Sequence, residues 1–212
     1  PVVCLGIDIP AILDHDGDGD MDIITFTESS STLYRFQGTL QCGLQLECTN
    51  RCYGMLAEAS ENNALFIGDD FECGFNVTDP REQYGTLHVG GGPRHAGGSL
   101  TSLQLDNEGP LDLLIGDVSF PTSIAVLMDD AIDGQDSAIF VDSSFPMLTG
   151  GMEALNCQRF PAAYHLDVDN DGVKDLLFSP NTYLETDDDA SVHFLKNTGE
   201  NLDPIWSYIQ ND

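Results

Sequence analysis

The sequence predicts an all-β chain of repeated four-stranded antiparallel units, about three blades of a β-propeller, on three observations. A nine-residue frame of oxygen-bearing side chains occurs three times. Each copy runs directly into a short apolar segment with the composition and length of a strand. No helical periodicity of useful length interrupts the pattern.

The elements follow in chain order. Ile9-Pro10-Ala11-Ile12-Leu13 leads into the frame Asp14–Asp22, and Asp22-Ile23-Ile24-Thr25-Phe26 leaves it as a second strand, followed by Thr32–Phe36 after a polar turn. The second unit repeats this order with Gly97–Thr101, Asp112-Leu113-Leu114-Ile115-Gly116, Ser123–Leu127 and an outer strand at Ala138–Val141. In the third, Phe160–Tyr164, Asp175-Leu176-Leu177-Phe178-Ser179, Ser191–Leu195 and Pro204–Ile209 take the same places. Radial repetition of such units is the propeller answer to exposed sheet edges.

The frame carries the chemistry. Asp14-His15-Asp16-Gly17-Asp18-Gly19-Asp20-Met21-Asp22 has a carboxylate at every second position, and Asp167-Val168-Asp169-Asn170-Asp171-Gly172-Val173-Lys174-Asp175 has acids at positions 1, 3, 5 and 9. Like charges this close repel unless a cation lies between them. Oxygen-only donors suit a hard ion, and Ca²⁺, with about 6–8 oxygens at ~2.3–2.6 Å, fits best. The expected ligands are the side chains at positions 1, 3, 5 and 9 with the carbonyl at position 7, which is Asp20 or Val173. The third copy, Gln104-Leu105-Asp106-Asn107-Glu108-Gly109-Pro110-Leu111-Asp112, has Gln at position 1 and the longer Glu at position 5. That predicts a weak or empty third site at Gln104, Asp106, Glu108, Pro110 and Asp112. An EF-hand is excluded, because its position 12 needs a bidentate Glu and Thr25 and Phe178 stand there.

Charge bounds the partners. Thirty-six acidic residues against seven basic ones give a net charge of −29, a field that repels nucleic acid and anionic membrane surfaces. No apolar run reaches the ~18 residues of a membrane-spanning helix. The chain begins at Pro1 with neither initiator Met nor signal peptide, which reads as a processed or truncated start. Six cysteines point to an oxidising compartment.

The frames are unevenly spaced, 90 residues apart and then 63, so the first interval holds an insertion of 27 residues. Cys42, Cys48, Cys52 and Cys73 fall within that interval and are the disulfide candidates. A zinc site is the less favoured reading, since no Cys-x-x-Cys knuckle is present. Cys4 and Cys157 each stand ten residues before a frame, in nonadjacent units, and are expected to pair elsewhere or remain thiols. The organisation is then repeat 1 at about 1–40, a cysteine-rich insertion at about 41–85, repeat 2 at about 86–150 and repeat 3 at about 151–212. Just over three units fall short of the usual 4–8 blades, so further blades are expected from the same longer polypeptide, with other chains as the alternative.

Asp14–Asp22 followed by Ile23-Ile24, Asp167–Asp175 followed by Leu176-Leu177, and the strand Leu113-Leu114-Ile115-Gly116-Asp117 resemble the FG-GAP or VCBS repeats, calcium-loop propeller repeats also found in integrin α-subunit heads. The stretch Gly90–Ser99 is similar to secreted members from Bacteroidetes. The resemblance covers essentially the whole chain. It implies a larger, typically seven-bladed propeller in which calcium is structural, and a secreted or cell-surface, bacterial setting.

No catalytic constellation is visible. His88 and His95 flank a glycine-rich run without the Gly-Lys-Ser/Thr of a phosphate loop, and no serine lies in a Gly-x-Ser-x-Gly elbow. His88 and His95 read as polar or packing residues, and His15 and His165 as solvent-facing loop residues. Asn76-Val77-Thr78 is a glycosylation sequon, and Asp136-Ser137-Ala138 resembles a short bacterial O-glycosylation motif. The function expected is a non-catalytic, calcium-stabilised binding or adhesion module for a protein or glycan. The alternatives are a propeller segment of a secreted lyase or glycosidase, and a lectin.

Overall fold

The computed structural model describes residues 2, 6–27, 30–39, 45–59, 61–68, 71–75, 83–87, 96–130, 136–149, 151–182 and 191–211. Among them are sixteen strands and no α-helix. Cys4, Cys42, the sequon at 76–78, His88 and His95 lie outside the described residues.

Three four-stranded antiparallel sheets are each built from strands consecutive in the chain. The first comprises β1 (Ala11–Leu13), β2 (Asp22–Thr27), β3 (Ser30–Gly38) and β4 (Leu46–Tyr53). Two small hairpins follow, β5 (Ala57–Ala59) with β6 (Ala64–Phe66) and β7 (Phe71–Phe75) with β8 (Gln83–Leu87). The second sheet comprises β9 (Gly98–Leu103), β10 (Asp112–Asp117), β11 (Ser123–Asp129) and β12 (Ser137–Asp142). The third comprises β13 (Pro161–Leu166), β14 (Asp175–Pro180), β15 (His193–Asn197) and β16 (Trp206–Asn211). The fourth strand of the first sheet, β4, comes from the cysteine-rich interval, and β15 begins two residues later than its composition suggested.

Every acidic frame is the connection between the first two strands of a sheet. The residue before position 1 pairs with the Asp at position 9 in all three: Leu13 with Asp22, Leu103 with Asp112, Leu166 with Asp175. The excursion between them is therefore the same length each time, and so is its backbone. Position 4 is left-handed at Gly17, Asn107 and Asn170, and position 6 at Gly19, Gly109 and Gly172. Only Gly and Asn take that region readily, which explains the residue choice at both positions.

The apolar run after each frame is buried on alternate faces. From β10, Leu113 and Ile115 pack with Ile24, Phe26 and Leu33 of the first sheet. Leu114, between them, packs with Leu176, Phe178, Leu195 and Trp206 of the third. The middle sheet is thus covered on both sides, and every residue of β10 is buried. Each of its large side chains contributes about 1.5–3 kcal/mol by burial.

The first strands of the sheets adjoin one another. Ile9, just before β1, bridges Ser99 of β9 in parallel, with Ile9 N donating to Gly98 O (2.9 Å) and Leu100 N to Ile9 O (2.8 Å). On the other side of β9, Ser99 Oγ donates to Pro161 O (2.6 Å) and Thr101 Oγ1 to Ala163 O (2.7 Å) of β13. A Cβ on Gly116 would overlap Pro161 O, so this approach of second and third sheets requires glycine there.

One disulfide joins two of the four candidates, Cys52 at the end of β4 and Cys73 in β7, with Cα atoms 6.3 Å apart. It packs in a small cluster with Ala57 and Phe71. Cys48 and Cys157 are free thiols.

Candidate metal centre

Two acidic clusters stand on this framework. Carboxylate oxygens of Asp14, Asp16 and Asp18 lie within 4.8 Å of one another, as do those of Asp167, Asp169 and Asp175. Either triad could hold a metal ion. The loop backbone aims them inward. Asp14 accepts from Gly17 N (2.8 Å) and Gly19 N (3.1 Å), and Asp167 from Asp171 N (3.1 Å) and Gly172 N (2.9 Å). These bonds hold the first carboxylate across the mouth of its loop.

In the first loop, two further observations at Asp20 show a surplus of negative charge that a cation would offset. Asp20 Oδ2 is buried without a hydrogen-bond partner, an arrangement that costs stability unless something positive approaches it. The Asp20 carboxyl is held above its ordinary range by desolvation and by the charges of Asp18, Asp14, Asp22 and Asp16.

The third frame is closed differently. Gln104 turns its amide inward, donating from Nε2 to Glu108 O (3.0 Å) and Gly109 O (3.4 Å). A neutral donor stands where Asp14 and Asp167 present an anion. Pro110 has no N–H to give, and Glu108 N bonds Asp106 Oδ1 (3.0 Å). No cluster of three acids forms in this loop among the described residues.

The Asp at position 9 has a role that all three frames share. Asp112 accepts from Met128 N (2.8 Å) through Oδ1 and from Leu105 N (2.7 Å) through Oδ2. Asp175 does the same with Asn197 N (2.9 Å) and Val168 N (3.2 Å). Asp22 accepts from Gly38 N (2.9 Å) and Arg35 (3.1 Å). This carboxylate ties the loop to the third strand of its sheet, and it does so in the loop with no acidic triad. Burial pushes the Asp112 carboxyl up to about 7, with the two amides pulling the other way.

The residue preceding that amide donor occupies one equivalent position, Gln37, Leu127 and Lys196, and in the two charged loops it reaches the acids. Gln37 Nε2 donates to Asp16 (2.6 Å), as does Arg35 (2.8 Å). Lys196 contacts Asp169 and donates to Asp171 Oδ2 (2.8 Å). The ammonium hydrogen bond holds Asp171 below its ordinary range. For Asp16, burial pushes upward but the hydrogen bonds from Gln37 and Asp18 N and the Arg35 charge outweigh it. Two of the chain's seven basic residues thus serve the acidic loops. Sequence spacing did not single them out.

His15 is not the solvent-facing residue expected from its acidic neighbours. It is buried beneath the first loop, bonded through Nε2 to Tyr53 OH (2.7 Å) and through Nδ1 to Ser102 Oγ (3.3 Å). Burial, then the Arg35 charge, lowers its pKa to about 4. His165 is half-buried and is likewise lowered to about 4, by burial and by Lys174. The Ser–His–Tyr chain is closed to solvent and joins the first and second sheets, so it serves packing. Against family models, curated proteins and solved structures alike, the chain finds no match.

Proposed function

We propose that this chain is a calcium-stabilised segment of a β-propeller of the FG-GAP or VCBS type, secreted or carried on a bacterial cell surface. It acts there as a non-catalytic binding or adhesion module for a protein or glycan. The observation that carries the reading is the placement of two acidic triads at the same hairpin of two equivalent sheets. The sequential four-stranded sheets, packed face to face with their first strands side by side, support blades arranged about an axis. The disulfide is compatible with an oxidising, extracellular setting.

The ligands would be Asp14, Asp16, Asp18, Asp22 and the Asp20 carbonyl in the first loop. In the last they would be Asp167, Asp169, Asp171, Asp175 and the Val173 carbonyl. The ion supplies charge neutralisation that fixes each strand connection. The turn at 119–123 and the 42–73 insertion present the recognition surface, and further blades come from the same longer polypeptide.

Calcium titration by calorimetry, with elemental analysis, tests the metal reading. Two equivalents should bind, and Asp16→Ala and Asp169→Ala should each remove one. At a hundredfold excess over the dissociation constant, each site adds about 2.7 kcal/mol to stability. A melting temperature indifferent to EGTA, with no calcium retained, overturns it. For the module itself, labelled chain incubated with surface polysaccharide and protein extracts should retain an intact partner. Release of shortened glycan would make it part of a lyase or glycosidase instead.

A further inference from the structure

Between the segment 146–156 and strands β15 and β16 lies a cavity of about 350 Å³, a size at which small-ligand sites begin. Met152, Leu155 and Leu195 contribute to its apolar wall, and Glu153, Asn156, His193 and Tyr208 are its polar lining. His193 is 6% exposed. Its Nδ1 bonds Tyr208 OH (3.2 Å), while its Nε2 is buried with no hydrogen-bond partner. A buried polar atom left unmet is costly, and in native proteins such an atom calls for an explanation. The Tyr208 ring, tilted against the imidazole at 6.1 Å between centroids, is 41% exposed.

We propose that this cavity is a binding site for a neutral hydroxylated ring, one hexose unit of a glycan, with His193 Nε2 bonding a ring hydroxyl and Tyr208 lying along the sugar's edge. The donor chemistry selects that class. Burial lowers the pKa of His193 and raises that of Tyr208, so both are neutral near pH 7. Neutral imidazole has one donor and one acceptor nitrogen, and the phenol can give or take a proton toward Nδ1. Whichever role that leaves to Nε2, a hydroxyl can answer it. A carboxylate or phosphate only accepts, and it would meet Glu153 and a net charge of −29. An ammonium only donates. The apolar wall suits the C–H face of a pyranose, whereas an apolar peptide side chain would leave Nε2 unmet. The assignment deepens the binding-module reading and rests on it only for the presence of a glycan partner.

Saturation-transfer NMR on the calcium-loaded chain tests it, with glucose, galactose, mannose and N-acetylglucosamine as probes and glucuronic acid and a leucyl dipeptide as controls. At least one neutral hexose should receive saturation and the controls none. Tyr208→Ala, at an exposed position, and Leu155→Trp, which fills the cavity, should each weaken that hexose about tenfold or more. His193→Phe should do the same. Calcium stoichiometry should stay unchanged, and Tyr164→Ala, on the first strand of the same sheet, should have no effect. Absence of transfer to every hexose while calcium stays bound overturns the sugar site and leaves the metal reading standing. Loss of calcium binding with sugar transfer intact does the reverse. Binding that the cavity variants leave unaltered, or the dipeptide taken up in place of the hexoses, also overturns the proposal.

Discussion

Replacing both cysteines of the one described disulfide, Cys52→Ala with Cys73→Ala, isolates what covalent closure contributes to the region between the first and second sheets. The bridged residues are 21 apart in sequence. Closing a loop of that length removes unfolded-state entropy equivalent to about 3 kcal/mol at 25 °C. The folded side changes little, because the cluster around the bridge is small, with Ala57 and Phe71 beside it and Phe66 packed against it. The assay is equilibrium urea unfolding of the oxidised chain and the double variant, both calcium-loaded. With a denaturant slope of about 2–3 kcal/mol per M, the midpoint should fall by roughly 1–1.5 M. Cys48→Ala, which alters a free half-buried thiol, should leave the midpoint where it was. The reasoning is refuted if the double variant unfolds at the same urea concentration as the parent. It is equally refuted if a reductant lowers the midpoint of the double variant as much as that of the parent.

Three other outcomes follow from the same structure. Asp112→Ala should destabilise by about 2 kcal/mol, two lost amide bonds of ~1–3 kcal/mol each set against relief from burying a carboxylate. Melting curves should show that loss equally with calcium and with EGTA, whereas Asp16→Ala should lower the melting temperature only in calcium. His15 has a folded-state pKa near 4, below its unfolded value, so the unfolded chain takes up the proton first and stability falls as pH drops below about 6.5. Between pH 7 and pH 5 this amounts to about 2 kcal/mol, and urea midpoints at the two pH values should converge by that amount in His15→Gln. Cys157 is buried and its thiol is pushed up to about 12. Mass spectrometry after iodoacetamide treatment at pH 8 should find it unmodified in the native chain and modified in urea, while Cys48 reacts in both.

The hairpins were legible because their determinants are local. Alternating acids, Gly or Asn at the two left-handed positions and an apolar run within the next four residues specify loop and strand together, so the pairing of Leu13 with Asp22 and its two counterparts follows from the frame. What reaches the frame from outside was not legible. Gln37 and Lys196 occupy equivalent places but lie at different distances from their loops in sequence, because the turns between the second and third strands differ in length. His15 illustrates the same limit: its partners Tyr53 and Ser102 are 38 and 87 residues away, and nothing in an acidic loop announces that one side chain turns inward. The cavity beside His193 depends on the connection between β12 and β13, which has no periodicity to read.

The carboxylate at position 9 separates two properties that a calcium loop usually merges. Because Asp112 holds its hairpin through backbone amides alone, the hairpin keeps its shape in a loop that has no acidic triad. Substitutions at positions 1, 3 and 5 then bear on the acidic cluster, while the tie between loop and third strand stays with position 9. In the Gln104 loop an amide makes the closure, and the strand order on either side of it is the same as in its charged neighbours. The shape of the hairpin and its capacity for an ion are thus set by different residues of the same loop.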